Sequence, residues 1–190
     1  AAAAGGTLAV SDTTQNVGGG SAPASSTLFY LSSNSGLDAS DVVLGSRDVA
    51  LLTPGAAQSG STNLAIPPTT ATGVYYLLAQ ADGASSVPET TESNNLRVGG
   101  PVQIGPDLLI SALSVPATGG AGSPISVSET TRNQGGGAAP ASVTTFYLSA
   151  NFTLDAADVT LGSRAVAALA SGGSDTGSVV VTIPIATPTG

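Results

Sequence analysis

Cysteine, histidine, lysine, methionine and tryptophan are all missing from the 190 residues, and each gap removes a class of chemistry. Without Cys or His the usual nucleophile and base combinations cannot form, and without Lys no amine can activate a serine. Without Cys there is no disulfide, and the redox compartment stays undecided. The only cations are Arg47, Arg97, Arg132 and Arg164, and the net charge is −8. Phosphate binding needs clustered cations, so nucleic acid is not an expected partner. Charged residues make up 8% of the chain, against about 25% in an ordinary soluble domain. The surface must therefore be largely neutral. Small hydroxyl and methyl side chains lose little entropy when covered, which suits close protein contact or a crowded extracellular matrix. Long apolar runs are missing too: stretches such as Val74–Ala79 fall far short of a membrane span.

What is present is a repeat. Residues 1–73 realign with residues 118–190 without a gap at a constant offset of 117, and about 40 of the 73 paired positions are identical. Ser11-Asp-Thr-Thr-Gln-Asn16-Val-Gly-Gly-Gly20 returns as Ser128-Glu-Thr-Thr-Arg-Asn133-Gln-Gly-Gly-Gly137, and Phe29-Tyr-Leu-Ser32 returns as Phe146-Tyr-Leu-Ser149. A period of 117 makes two domains of the 190 residues. Arrays of one module span, space or bind more often than they catalyse.

Helix signals are nearly missing, because Gly and Pro punctuate the chain and no long stretch keeps a 3.6-residue apolar stripe. Strand signals are plentiful. Leu8 and Val10 alternate with small residues, as do Ile125 and Val127, while Thr62, Leu64 and Ile66 match Val179, Val181 and Ile183. Phe29 and Leu31 recur unchanged while Leu28 becomes Thr145, which predicts that 29 and 31 face inward and 28 outward. One period predicts strands near 107–114, 7–14, 26–33, 42–47, 59–66, 73–82 and 95–104. Seven short strands between Gly/Pro/Asn turns indicate an all-β fold, tandem antiparallel β-sandwiches of immunoglobulin or fibronectin-III type. Tyr75, just after a Pro-Pro…Gly turn, fits either a tyrosine corner or plain core packing.

By this reading residues 1–106 form a first sandwich without its opening strand, and residues 107–190 a second without its last two. Two whole repeats would occupy 234 residues, and the 44 not present correspond to positions 74–117. The second sandwich is expected to be completed near Leu148 and Val181, either by continuing chain or by strands donated from a neighbouring chain.

Four segments carry a family resemblance: Asp107-Leu-Leu-Ile, Asn133-Gln-Gly-Gly-Gly, Phe146-Tyr-Leu-Ser with Leu154-Asp-Ala-Ala-Asp158, and Val87-Pro-Glu-Thr-Thr-Glu92-Ser-Asn-Asn95. Together they resemble the CARDB family, the cell-adhesion-related domain found in bacteria, and the resemblance covers the whole chain. It implies immunoglobulin-like sandwiches in tandem within large secreted or surface proteins of bacteria and archaea.

Asn34, Asp38 and Asp41 recur as Asn151, Asp155 and Asp158 on one loop. Ca²⁺ wants six to eight oxygens, and such side chains with loop carbonyls could supply part of that shell. The competing reading is a short turn capped by Asp38 with Asp41 charging its amide end. The acidic stretch Asp82, Glu89, Glu92, Asn94 and Asn95 admits the same two readings, calcium or a hairpin loop whose side chains bond their own backbone. Asp12 and Glu129 share strand parity with inward residues, and a charge there needs a partner. Arg47 and Arg164, the cations common to both copies, are the candidates. The triple glycines 18–20 and 135–137 lack the Lys and following helix of a phosphate loop, so they are expected to be turn glycines at positive φ.

A carboxylate pair from Asp38 and Asp41 is the one catalytic arrangement left, for glycoside hydrolysis, and the expectation is no enzyme. A structural or adhesive module at the cell surface, working as stalk, fibre or filament, is the expected function. A polysaccharide-binding accessory module of a secreted enzyme is the alternative, and it would need a row of exposed aromatics, with Tyr30, Tyr76 and Tyr147 the available rings.

Overall fold

The computed structural model describes residues 1–188 and divides the chain into two compact units, Ala1–Gly105 and Pro106–Gly190. In the first, β1 (Thr7–Gln15), β2 (Ser25–Ser32), β3 (Val42–Val49), β4 (Ala57–Ala65), β5 (Gly73–Gln80) and β6 (Leu96–Ile104) follow in order. They make a four-stranded sheet β3-β2-β5-β6 and a two-stranded sheet β1-β4. All of these ladders are antiparallel. The second unit holds β7 (Leu108–Ser114), β8 (Pro124–Asn133), β9 (Ser142–Leu148), β10 (Val159–Val166) and β11 (Ser174–Thr182). They form sheets β11-β8-β7 and β10-β9, again antiparallel. Both units are immunoglobulin-like β-sandwiches.

The alternation seen in the sequence sets the faces. Leu8, Val10, Asp12 and Thr14 of β1 turn inward and Thr7, Ala9, Ser11, Thr13 and Gln15 outward. In the first unit Leu31, Ile66 and Ile104 close one core with Tyr75 and Val102 against it, and Phe29, Leu64 and Leu78 are fully buried. Each such side chain contributes about 1.5–3 kcal/mol on leaving water. Val127, Phe146 and Val181 make the second core. Tyr75 serves both expected roles, since its ring packs on the core and its hydroxyl donates to the Ala71 carbonyl at 3.1 Å. Leu28 faces away from the core as expected, yet it is half-buried. The loop after β5 covers it, and a Cβ at Gly83 would lie 2.4 Å from Leu28 Cγ.

The two copies differ in their pairing. β8 has neighbours on both sides, whereas its counterpart β1 pairs only with β4. β2 lies between β3 and β5, whereas its counterpart β9 pairs only with β10. Burial differs in the same sense: Phe29 is 0% exposed and Phe146 8%, and Leu31 is buried while Leu148 is half-buried. The sequence places completing strands near Leu148 and Val181; in the first unit β5 and β6 both join the sheet of β2 and neither joins β4, so that pattern would put them beside β9, the Leu148 side, and not beside β11.

Candidate functional site

The inward acids of β1 and β8 meet the arginines of β3 and β10. Arg47 donates from Nε to Asp12 Oδ1 at 2.7 Å and from Nη2 to Asp12 Oδ2 at 2.5 Å. Arg164 donates from Nε to Glu129 Oε1 at 2.7 Å and reaches the same oxygen through Nη2, while Thr131 donates to Glu129 Oε2 at 3.0 Å. The expected pairs are thus formed. The carboxylate bond holds each guanidinium above its ordinary pKa, against the opposing effect of burial, so both arginines stay charged.

Two partners of these pairs were not anticipated. Asp175 Oδ1 accepts from Arg164 Nη1 at 3.0 Å, making the second site a triad. Its other oxygen accepts from the Ala167 amide at 2.9 Å, and this bond, with Arg164, holds the Asp175 carboxyl below the usual range. In the first copy Gln58 stands at that place and keeps the same bond, accepting from the Ala50 amide at 2.8 Å, without a charge to offer Arg47. The second unanticipated partner is glycine: a Cβ at Gly60 would lie 2.6 Å from Arg47 Cδ, and one at Gly177 2.8 Å from Arg164 Cδ. The guanidinium stems lie flat on the strand because nothing projects there. Identity of the glycine at both copies was the signal available in the sequence.

Asn133 is fully buried and fully bonded. Its Nδ2 donates to the carbonyls of Gly137 (2.8 Å), Leu169 (3.2 Å) and Ala170 (3.2 Å), and its Oδ1 accepts the amides of Gly135 and Asp107, each at 3.0 Å. One side chain thereby ties the triple-glycine loop, the turn before β11 and the start of β7. Asn16 repeats the first two ties, to Gly20 (2.7 Å), Leu52 (3.0 Å) and the Gly18 amide (2.9 Å). The expectation of positive φ for the triple glycines is wrong, because the asparagine closes the loop without it. Positive φ falls instead at turn glycines such as Gly55 (78°) and Gly172 (75°).

The Asn34, Asp38, Asp41 group is bound into its own turn. Asn34 Oδ1 accepts the Gly36 amide (2.7 Å), Asp38 Oδ1 the Ser40 amide (2.8 Å) and hydroxyl (2.6 Å), and Asp41 Oδ2 the Asp38 amide (2.9 Å). The Ser40 bonds, with Asn34, lower the Asp38 pKa. Asn151, Asp155 and Asp158 accept in the same way from Thr153 (2.6 Å), Ala157 (2.8 Å) and the Asp155 amide (2.9 Å). Among the described residues no three His, Cys, Asp or Glu side chains converge as metal ligands. Asp41 Oδ1, by contrast, is buried without a hydrogen-bond partner.

The second acidic stretch divides in two. Glu92 Oε1 accepts the Glu89 amide (3.1 Å) at a 3-10 turn, Glu92–Asn94. Asp82, 3% exposed, sits at φ 46° in the loop that covers Leu28. Burial pushes its pKa up, but donors at Val87 N (2.7 Å), Ser86 Oγ (2.7 Å) and Ser86 N (3.1 Å) outweigh it and leave the carboxyl below its usual value.

The outer face of the β1-β4 sheet shows hydroxyls in facing pairs, Ser11 with Ser61 at 2.9 Å and Thr13 with Ser59 at 2.8 Å, and Thr130 with Thr176 at 2.8 Å repeats the arrangement in the second unit. Among the described residues no helix is long and apolar enough to cross a membrane.

Comparison with known proteins bears on both units. The family model CARDB matches residues 1–98 and again residues 105–189. No curated protein sequence matches. Among solved structures, the crystal structure of red sea bream transglutaminase is similar with a TM-score of 0.50 at 12% identity, over 96% of this chain and 26% of that one. The chain thus spans about a quarter of that protein's length, and the likeness is one of fold.

Proposed function

The chain belongs to the CARDB family, a bacterial cell-adhesion-related and non-catalytic domain family, and on that premise we propose that it is a structural repeat of a secreted or cell-surface protein, a building block of a stalk or filament. The observation that carries this reading is the tandem repetition of one sandwich: the family model matches residues 1–98 and again residues 105–189, and both copies keep the same inward acid–arginine pair. Repeated copies of one module span and space, and a strand added at the β9 edge would join one repeat to the next. Two further features support it. The outward faces of β1 and β4 carry hydroxyl, methyl and carboxamide groups without charge, and the buried carboxylates are spent on internal arginines and amides rather than turned to a ligand.

Adding a second copy of residues 74–117 after Gly190 tests the reading. The expected result is a higher unfolding midpoint for the second unit and slowed amide exchange along β9. If the β9 amides are already fully protected in the unextended monomer, the proposal fails.

A further inference from the structure

We infer that Asn151, on the loop between β9 and β10, is an acceptor site for an N-linked oligosaccharide. The inference rests on the reading of the chain as secreted or cell-surface material and adds to it a covalent modification of that surface.

Asn151-Phe-Thr153 has the Asn-X-Ser/Thr order that oligosaccharide transferases read, and of the seven asparagines in the chain only Asn151 has a hydroxyl two residues on. The three residues lie outside the ladders, since β9 ends at Leu148 and β10 begins at Val159. All three are exposed, and Phe152 is 110% exposed, so the loop stands clear of the sheets. The first unit shows that this exposure belongs to the loop itself. There β2 has β3 and β5 on its two sides, and Asn34, Ser35 and Gly36 at the same places are exposed as well.

The turn presents the carboxamide by its nitrogen. The Asn151 backbone amide donates to Ser149 Oγ at 3.2 Å, and Asn151 Oδ1 accepts the Thr153 amide at 2.6 Å. The side chain is thereby pinned through its oxygen, and among the described residues its Nδ2 meets no acceptor. The first copy makes the same turn, from Asn34 to Ser32 Oγ and from Gly36 to Asn34 Oδ1, with two differences. Asn34 Nδ2 donates to Asp38 Oδ2 at 3.3 Å, and Gly36 offers no hydroxyl. The second copy thus has the two features that transfer needs, a free amide nitrogen and a hydroxyl two residues on, and the first has neither. In the transfer Asn151 Nδ2 bonds to the anomeric carbon of a polyprenyl-pyrophosphate-linked oligosaccharide. The bond from that carbon to the pyrophosphate oxygen breaks, the lipid pyrophosphate leaves with the electron pair, and the nitrogen gives one proton to a base of the transferase.

The test uses the full chain purified from the cells that make it. Trypsin, cutting after Arg132 and Arg164, isolates Asn151 on the peptide 133–164. That peptide should carry the mass of an oligosaccharide, and enzymatic release of the glycan should leave Asp where Asn151 stood. A peptide found only in the unmodified form overturns the inference, and a reconstituted transfer then tells whether the site or the surface location is at fault. In that assay, with transferase and a polyprenyl-pyrophosphate-linked oligosaccharide, the folded chain should accept one glycan. Thr153→Val should lose the product and Thr153→Ser should restore it. Transfer to a synthetic peptide of residues 149–155 but not to the folded chain overturns the site, because the loop would then be closed to the enzyme. Gly36→Thr in an Asn151→Gln background builds the same triplet at Asn34. It should be filled about fivefold more slowly, the worth of roughly one hydrogen bond to Asp38, and equal rates would overturn the role given to the free Nδ2. The array reading is judged separately at β9, by the extension after Gly190.

Discussion

Removing Arg164 should cost the second unit far more than removing Arg47 costs the first. The Glu129 side chain has no solvent exposure and Asp12 keeps 12%. Arg164→Met keeps the stem and leaves Glu129 charged and unpaired, with one hydroxyl for company. Breaking a buried pair from one side costs about 3–5 kcal/mol. Arg47→Met strands Asp12 on an edge strand that water reaches, so the loss is that of hydrogen bonds to a charged group, about 1.5–3 kcal/mol. For units of this size about 1 kcal/mol moves the midpoint by 4–8 °C, so R164M should lower it by roughly 15–30 °C and R47M by roughly half as much. The companion variant combines Arg164→Met with Glu129→Leu. Apolar replacement of a whole buried pair is often neutral or better, so the double variant should recover most of the loss. Segment-resolved hydrogen exchange in denaturant reads each unit separately. Equal losses at the two sites, or a double variant as unstable as R164M, would refute the claim that uncompensated burial of Glu129 sets the magnitude.

Gly177→Val should destabilise the second unit by about 1–3 kcal/mol through overpacking, because the new side chain meets Arg164 Cδ; the same change in an R164A background should cost less, as thermal unfolding would show. Acid should weaken the fold from a defined side. Asp82 and Asp175 have folded pKa values below the ordinary one, so their contribution is complete above the unfolded value of about 3.9 and is lost as the pH falls through the lower folded values. The midpoint should hold between about pH 7 and 5 and drop below about pH 4, with Asp82→Asn flattening that drop. Calcium against chelator should leave the midpoint unchanged, because among the described residues no three acidic side chains converge as ligands and one oxygen of each of Asp38, Asp41, Asp155 and Asp158 is already engaged by a loop amide; a clear rise with calcium would instead assign that loop to the metal.

The strands were legible because two local signals agreed. Alternation marked each one, and duplication showed which face tolerates change, as at Phe29/Phe146 beside Leu28/Thr145. The ion pairs were legible for a similar reason: inward parity put Asp12 and Glu129 in need of a cation, and only Arg47 and Arg164 recur. What stayed hidden depended on contacts across the sandwich. Gly60 and Gly177 matter for what lies over them, which alternation along a strand does not record. Asp175 differs from Gln58 by a charge, and its reach to Arg164 crosses from β11 to β10. The triple glycines suggested backbone freedom, while the working residue was the asparagine two positions earlier.

Arg164 lying flat over Gly177, with Glu129 beneath, constrains the order in which this sequence can change. A larger residue at 177 is blocked while the arginine remains, and the arginine cannot leave while Glu129 is charged. The one route open by single steps begins at the acid: Glu129 is neutralised first, Arg164 is shortened next, and only then can Gly177 grow. The Arg47, Gly60 and Asp12 set follows the same order with lower steps, since Asp12 is less deeply buried. Drift in the two copies is therefore gated at these sites, whereas exposed strand positions have already diverged, Asn63 against Val180 and Ala65 against Thr182.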